Sequence, residues 1–102
     1  VSVTITAGTG AANTNKMRGL IKQILIVPLD SSGAAVNTSA WDLSVTDKDG
    51  DQVDYYETQT GRIDSRVDLP VGADSNERFK LTFSNVTNTP DTIRVVFKVK
   101  EI

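Results

Sequence analysis

Trp41-Asp42-Leu43-Ser44-Val45-Thr46-Asp47-Lys48-Asp49-Gly50-Asp51-Gln52-Val53-Asp54-Tyr55-Tyr56-Glu57 is the stretch on which the fold reading turns. Trp41, Leu43 and Val45 share one parity while Asp42, Ser44 and Thr46 share the other, which is the period of a strand with one apolar and one wet face. Asp49-Gly50 follows, a pair suited to the positive φ angles of a tight turn, and Val53 and Tyr55 resume the alternation. Residues 41 to 57 are therefore predicted to form one antiparallel hairpin.

Downstream, Thr58 to Gly61 reads as a second turn. Ile63 to Leu69 reads as a weaker strand, with charges at Arg62, Asp64, Arg66 and Asp68 and with Pro70 closing it. Charge at every other position suits a strand at a sheet edge. Phe79, Leu81 and Phe83 then alternate, as do Ile93, Val95, Phe97 and Val99. These two runs are expected to pair as a second hairpin across Asn85 to Thr92 and to form the heart of the core.

Upstream, Asp30-Ser31-Ser32-Gly33 is turn chemistry, and Pro28 is expected to stop the strand before it. From Lys16 to Val27 the parity is ambiguous: Lys16, Arg18 and Lys22 share it with Ile24 and Ile26. Either a bulge changes the phase or both faces are covered. Val3, Ile5 and Ala7 are expected on one face of a first strand, and Gly8 to Asn15 reads as a loop or extended arm. Residues 1–102 thus form a single all-β domain, an immunoglobulin-like antiparallel sandwich of about seven strands, with a jelly roll or small barrel as the alternative.

Composition narrows the function. The 102 residues include no cysteine and no histidine, which removes disulfides, thiolate nucleophiles and the commonest general base and metal ligand. A net charge of -2 argues against nucleic acid as a partner. The longest apolar run, Ile24 to Val27, is far short of the roughly 20 residues of a membrane-spanning helix, so no membrane partner is expected. Val1 to Thr6 alternates and lacks a basic start and an apolar block, so it reads as a strand rather than a signal peptide.

Several motifs tempt and fail. Asp47-Lys48-Asp49-Gly50-Asp51 opens like a calcium-binding EF-hand loop, but Gln52 and Thr58 stand where the later glycine and glutamate belong, and the flanks read as strands. A solvated hairpin tip is the preferred reading, with a weak calcium site in the same turn as the other. Gly8-Thr9-Gly10-Ala11-Ala12-Asn13 lacks the third glycine and the helix of a dinucleotide-binding turn. Asn37-Thr38-Ser39 and Asn85-Val86-Thr87 are sequons by pattern alone. Trp41 shares parity with Leu43 and Val45 and is assigned to the core rather than to a sugar-stacking platform. No catalytic residue, metal ligand or cofactor is assigned.

Charge layout is the least conventional feature. Between Asp42 and Glu57 stand six acids and one base, Lys48. Lys16, Arg18 and Lys22 cluster early, and Arg94, Lys98 and Lys100 share one face of the last strand. Complementary patches of this kind orient a protein against copies of itself or a larger assembly. The expected interface comprises Lys16, Arg18, Lys22, Ile24, Ile26, Arg94, Lys98 and Lys100.

From Gly19 onward the order of features resembles a group of small virion proteins of tailed bacteriophages. The shared features are the basic apolar strand of Arg18 to Pro28, the Trp41 to Asp51 segment, Gly61-Arg62-Ile63-Asp64-Ser65, and Leu69-Pro70-Val71-Gly72 followed by a strand pair ending in Val99-Lys100-Glu101. The resemblance implies a non-enzymatic capsid decoration or minor head protein at the virion surface. Its implied partners are the major capsid protein and copies of itself, as a homo-oligomer or a lattice-bound subunit. An extracellular adhesin or carbohydrate-binding module is the alternative, and a small hydrolase with converging carboxylates is the third class.

Overall fold

The computed structural model describes residues 1–15, 19–47, 49–71, 78–88 and 90–100. Its strands are β1 (Ser2–Thr4), β2 (Gly10–Asn13), β3 (Gly19–Leu29), β4 (Ala40–Thr46), β5 (Gln52–Thr60), β6 (Ile63–Val71), β7 (Lys80–Ser84) and β8 (Thr92–Lys100). They build two four-stranded antiparallel sheets, ordered β1-β8-β3-β6 and β2-β7-β4-β5. No helix occurs among the described residues.

The pairing has a simple origin. β4 turns back on β5 through residues 47–51, and the chain on either side of that tip keeps pairing outward: β3 with β6, β2 with β7, β1 with β8. The whole domain is one long antiparallel ribbon folded over on itself. Two further ladders, β3 with β8 and β4 with β7, close the sheets. The antiparallel sandwich is as expected, but this strand order is that of the eight-stranded jelly roll rather than of the immunoglobulin domain.

Three local expectations change with it. The segment read as a loop or arm contains β2, whose Gly10 to Asn13 pair with Phe83 to Lys80. Gly10 is required there, because a Cβ would lie 2.3 Å from the Thr4 carbonyl oxygen. Ala7 leaves the first strand and turns at φ 54, while Val3 and Ile5 stay buried. β7 and β8 are not a hairpin: they belong to opposite sheets and meet across the core. Their connection is held by Val86 N–H to the Gly8 carbonyl, Thr87 N–H to that of Ala40 and Asp91 N–H to that of Leu29.

The prolines interrupt less than expected. Pro28 lies within β3 opposite Ile93, and Pro70 lies within β6, an outermost strand where a missing N–H is tolerated. The phase ambiguity of β3 is resolved by a bulge: its register against both neighbours slips between Ile21 and Gln23. Ile21 points inward before the slip, and Ile24 and Ile26 point inward after it, all fully buried.

The core lies between the sheets. Trp41, Leu43 and Val45 meet Leu81 and Phe83 of the same sheet and face Ile21, Ile24, Ile26, Ile93 and Val95 of the other. Full burial of each such aliphatic or phenylalanine side chain contributes about 1.5–3 kcal/mol. Trp41 is a core residue, as expected. Its ring meets Phe83 edge-on at 5.7 Å between centroids, and its Nε1–H donates to the Gly61 carbonyl at 3.0 Å. Phe97 and Val99 are only half-buried against this cluster.

Candidate docking surface

The outer face of the first sheet follows from strand parity. Odd residues of β8 point inward, so Arg94, Val96, Lys98 and Lys100 project outward, about 7 Å from one to the next. β3 adds Gln23 opposite Lys98 and Leu25 opposite Val96, while Val27 lies opposite Arg94. β6 brings Arg66 opposite Gln23 and Asp64 opposite Leu25. The result is one sheet face with a cationic row along β8 and apolar Val96 and Leu25 in its middle. Val96 is 36% exposed.

The expected interface residues separate into three groups. Arg94, Lys98, Lys100 and Lys22 are exposed on this sheet, and Lys22 pairs with Asp68 at 2.5 Å. Ile24 and Ile26 are fully buried between the sheets and offer nothing to a partner. The bulge at Lys22 is the reason, since it sends the residues of shared parity before and after it to opposite faces. Lys16 and Arg18 lie outside the described residues. Leu25 falls within the Leu20 to Val27 strand expected to form part of the contact, whereas Val96 and Arg66 were missed as members of the same face. Val96 was recoverable from the parity of β8, and Arg66 needed the register.

The acids of the Asp42 to Glu57 run lie in the other sheet. Asp42, Asp47, Asp49, Asp51, Asp54 and Glu57 all belong to β4, β5 or the turn joining them, in the second sheet. The acidic run and the cationic row of β8 therefore lie on different layers of the sandwich, with Asp64 and Asp68 of β6 as acids of the first sheet. Asp42 accepts from the Asn85 side-chain amide at 2.8 Å and from the Thr58 N–H at 2.6 Å, and these bonds hold its carboxyl below the ordinary value of 3.8. Tyr55 is 46% exposed, and its hydroxyl is pushed up in pKa by desolvation and by the neighbouring Asp42 and Glu57 charges. Its neighbour Tyr56 turns inward instead, because β5 slips register against β4. Among the described residues the buried Tyr56 hydroxyl has no hydrogen-bond partner of good geometry, and burial pushes its pKa up, which the approach of Ser65 only reduces.

The calcium-like turn has its own internal use for Asp47. Asp47 Oδ1 accepts from the N–H groups of Asp49 and Asp51, both at 2.9 Å, and Gly50 takes φ 86. No cluster of three acids suited to a metal occurs among the described residues. Three open depressions of about 370, 350 and 330 Å³ mark the surface. Among the described residues, Asp68 lines the first, Asp47 the second and no carboxylate the third. Trp41, at 1% exposure, is unavailable for sugar stacking. No protein-family model, curated protein or solved structure matches this chain.

Proposed function

We propose that the protein is a non-enzymatic structural subunit that docks on the exterior of a phage capsid as a decoration or cement protein, through the outer face of the β1-β8-β3-β6 sheet. The observation that carries this reading is the Arg94–Val96–Lys98–Lys100 row with Leu25 beside it, on the layer opposite the acidic β4–β5 hairpin. A row of cations steers a flat sheet face toward an acidic shell and penalises the reversed orientation. Val96 and Leu25 supply apolar contact once it is seated. The resemblance to small virion proteins names the shell.

The test is titration of the purified protein onto undecorated heads from its own source at several salt concentrations. Saturable binding is expected, with Lys98→Glu/Lys100→Glu slowing association and flattening its salt dependence while leaving the fold intact. Failure of the unaltered protein to bind heads ends the decoration reading. Unchanged binding by the double reversal moves the contact to another surface.

A further inference from the structure

β6 is the last strand of its sheet, hydrogen-bonded to β3 on one side only. Arg62 just before it and Asp64, Arg66 and Asp68 along it are exposed, while Ile63, Ser65, Val67 and Leu69 are half-buried. Native edges are commonly guarded against association by lysines or by charge of one sign. This edge carries alternating signs, in an order that is its own complement.

Consider two copies of β6 laid antiparallel about a two-fold axis at Ser65. Arg62 of each then faces Asp68 of the other, and Asp64 of each faces Arg66 of the other. On the inward side Ile63 meets Val67, two residues already packed against the margin of the core. Only registers that shift by whole pleats keep both inward faces aligned. Centring on Asp64 sets Arg62 against Arg66 and Asp64 against itself. Centring on Arg66 sets Asp64 against Asp68 and Arg66 against itself. The charge order thus accepts the Ser65 register and rejects both neighbours.

The side chains are free to make these contacts. Among the described residues the only ion pair is Lys22–Asp68. Asp68 meets Lys22 and Asp64 meets the Gln23 amide, both from the β3 side, and a carboxylate has further lone pairs for a second donor. A two-fold interface of this kind closes on itself and leaves no growing end.

We infer that β6 is the interface of a symmetric homodimer, in which two copies pair antiparallel about Ser65 and join their four-stranded sheets into one. The inference stands apart from the capsid reading and is tested without heads, by sedimentation velocity over a range of concentrations and salt. The unaltered protein is expected to show a monomer–dimer equilibrium that weakens with salt. Asp64→Arg and Arg66→Asp each place like charges opposite at two points, and each should weaken self-association on the order of tenfold or more. Mixing the two variants makes every facing pair opposite again, so the mixture should dimerise where neither variant does alone. The double swap Asp64→Arg/Arg66→Asp should dimerise like the unaltered protein, and circular dichroism checks that each variant is folded. A protein that stays monomeric at millimolar concentration overturns the inference. So does a dimer indifferent to the single reversals, or a mixture and a double swap that fail to restore it.

Discussion

The β4–β5 and β7–β8 pairs look alike in sequence and differ in space. Both consist of two alternating apolar runs joined by a polar connection rich in Asn, Asp, Gly or Thr. The first pair closes on itself over residues 47–51, where Gly50 supplies a positive φ and Asp47 ties down the turn. In the second pair the strands part into opposite sheets, and the backbone between them bonds to Gly8, Ala40 and Leu29. Alternation reveals which face of a strand is buried, while the connection decides whether the next strand is its neighbour or faces it across the core.

The severest test of that contrast is to make the second connection like the first. Replacing residues 85–91 by Asn-Gly supplies a hairpin turn but cannot span the roughly 10 Å between packed sheets. Loss of the cooperative unfolding transition is expected, read by circular dichroism during chemical denaturation. A variant that folds with native stability would show that β7 and β8 tolerate being sheet neighbours.

Next in size are cavities at the two ends of the core. Leu81→Ala empties a fully buried site and should cost about 2–5 kcal/mol. Phe97→Ala should cost clearly less than the ~3–5 kcal/mol of a fully buried phenylalanine, because Phe97 is half-exposed beyond the stretch that β1 covers. Denaturant midpoints measure both, and equal losses would mean that the outer half of β8 is buried as deeply as the middle of β7.

At the hairpin tip the expected loss is smaller. A Cβ at Gly50 would meet no described atom within 4 Å beyond its chain neighbours, but Gly50→Val must hold φ 86, which costs about 1–2 kcal/mol. Thermal melting of this variant and of the unaltered protein should be indifferent to calcium and to a chelator. A melting temperature that falls on chelation would reassign the tip as an ion site.

The smallest effect lies in pH. Asp42 has a folded pKa below its unfolded value, so its bonds contribute stability above about pH 3.8 and lose it as pH falls through the lower, folded value. Asn85→Gly removes the larger of the two causes while tolerating the φ of 53 at that position. The variant should be less stable than the unaltered protein near neutrality, and the gap should close in acid. A gap that persists below the folded pKa would place the cost in the backbone instead of the carboxylate.

Much of this arrangement was legible before any coordinates. The Trp41 to Glu57 hairpin could be read because its turn chemistry is local. β6 could be placed at an edge because its charges alternate. β2 escaped notice because Gly10-Ala11-Ala12-Asn13 has weak strand preference, and its pairing is supplied by β7, far away in the chain. For the docking face, the parity of Arg94, Lys98 and Lys100 was plain. Ile24 and Ile26 were misplaced because a single extra residue at Lys22 reverses the face of everything after it.

The folded ribbon has a consequence for how the protein is made. In both sheets, strands from β1 to β4 alternate with strands from β5 to β8, so every hydrogen-bonded neighbour of an early strand is a late one. A nascent chain carrying only β1 to β4 can form no native strand pair at all. The first becomes available when β5 leaves the ribosome, and β1 waits for β8. Synthesis at about 5–20 residues per second leaves those early strands with unpaired edges for seconds, the interval in which they are most open to misassembly or to a chaperone.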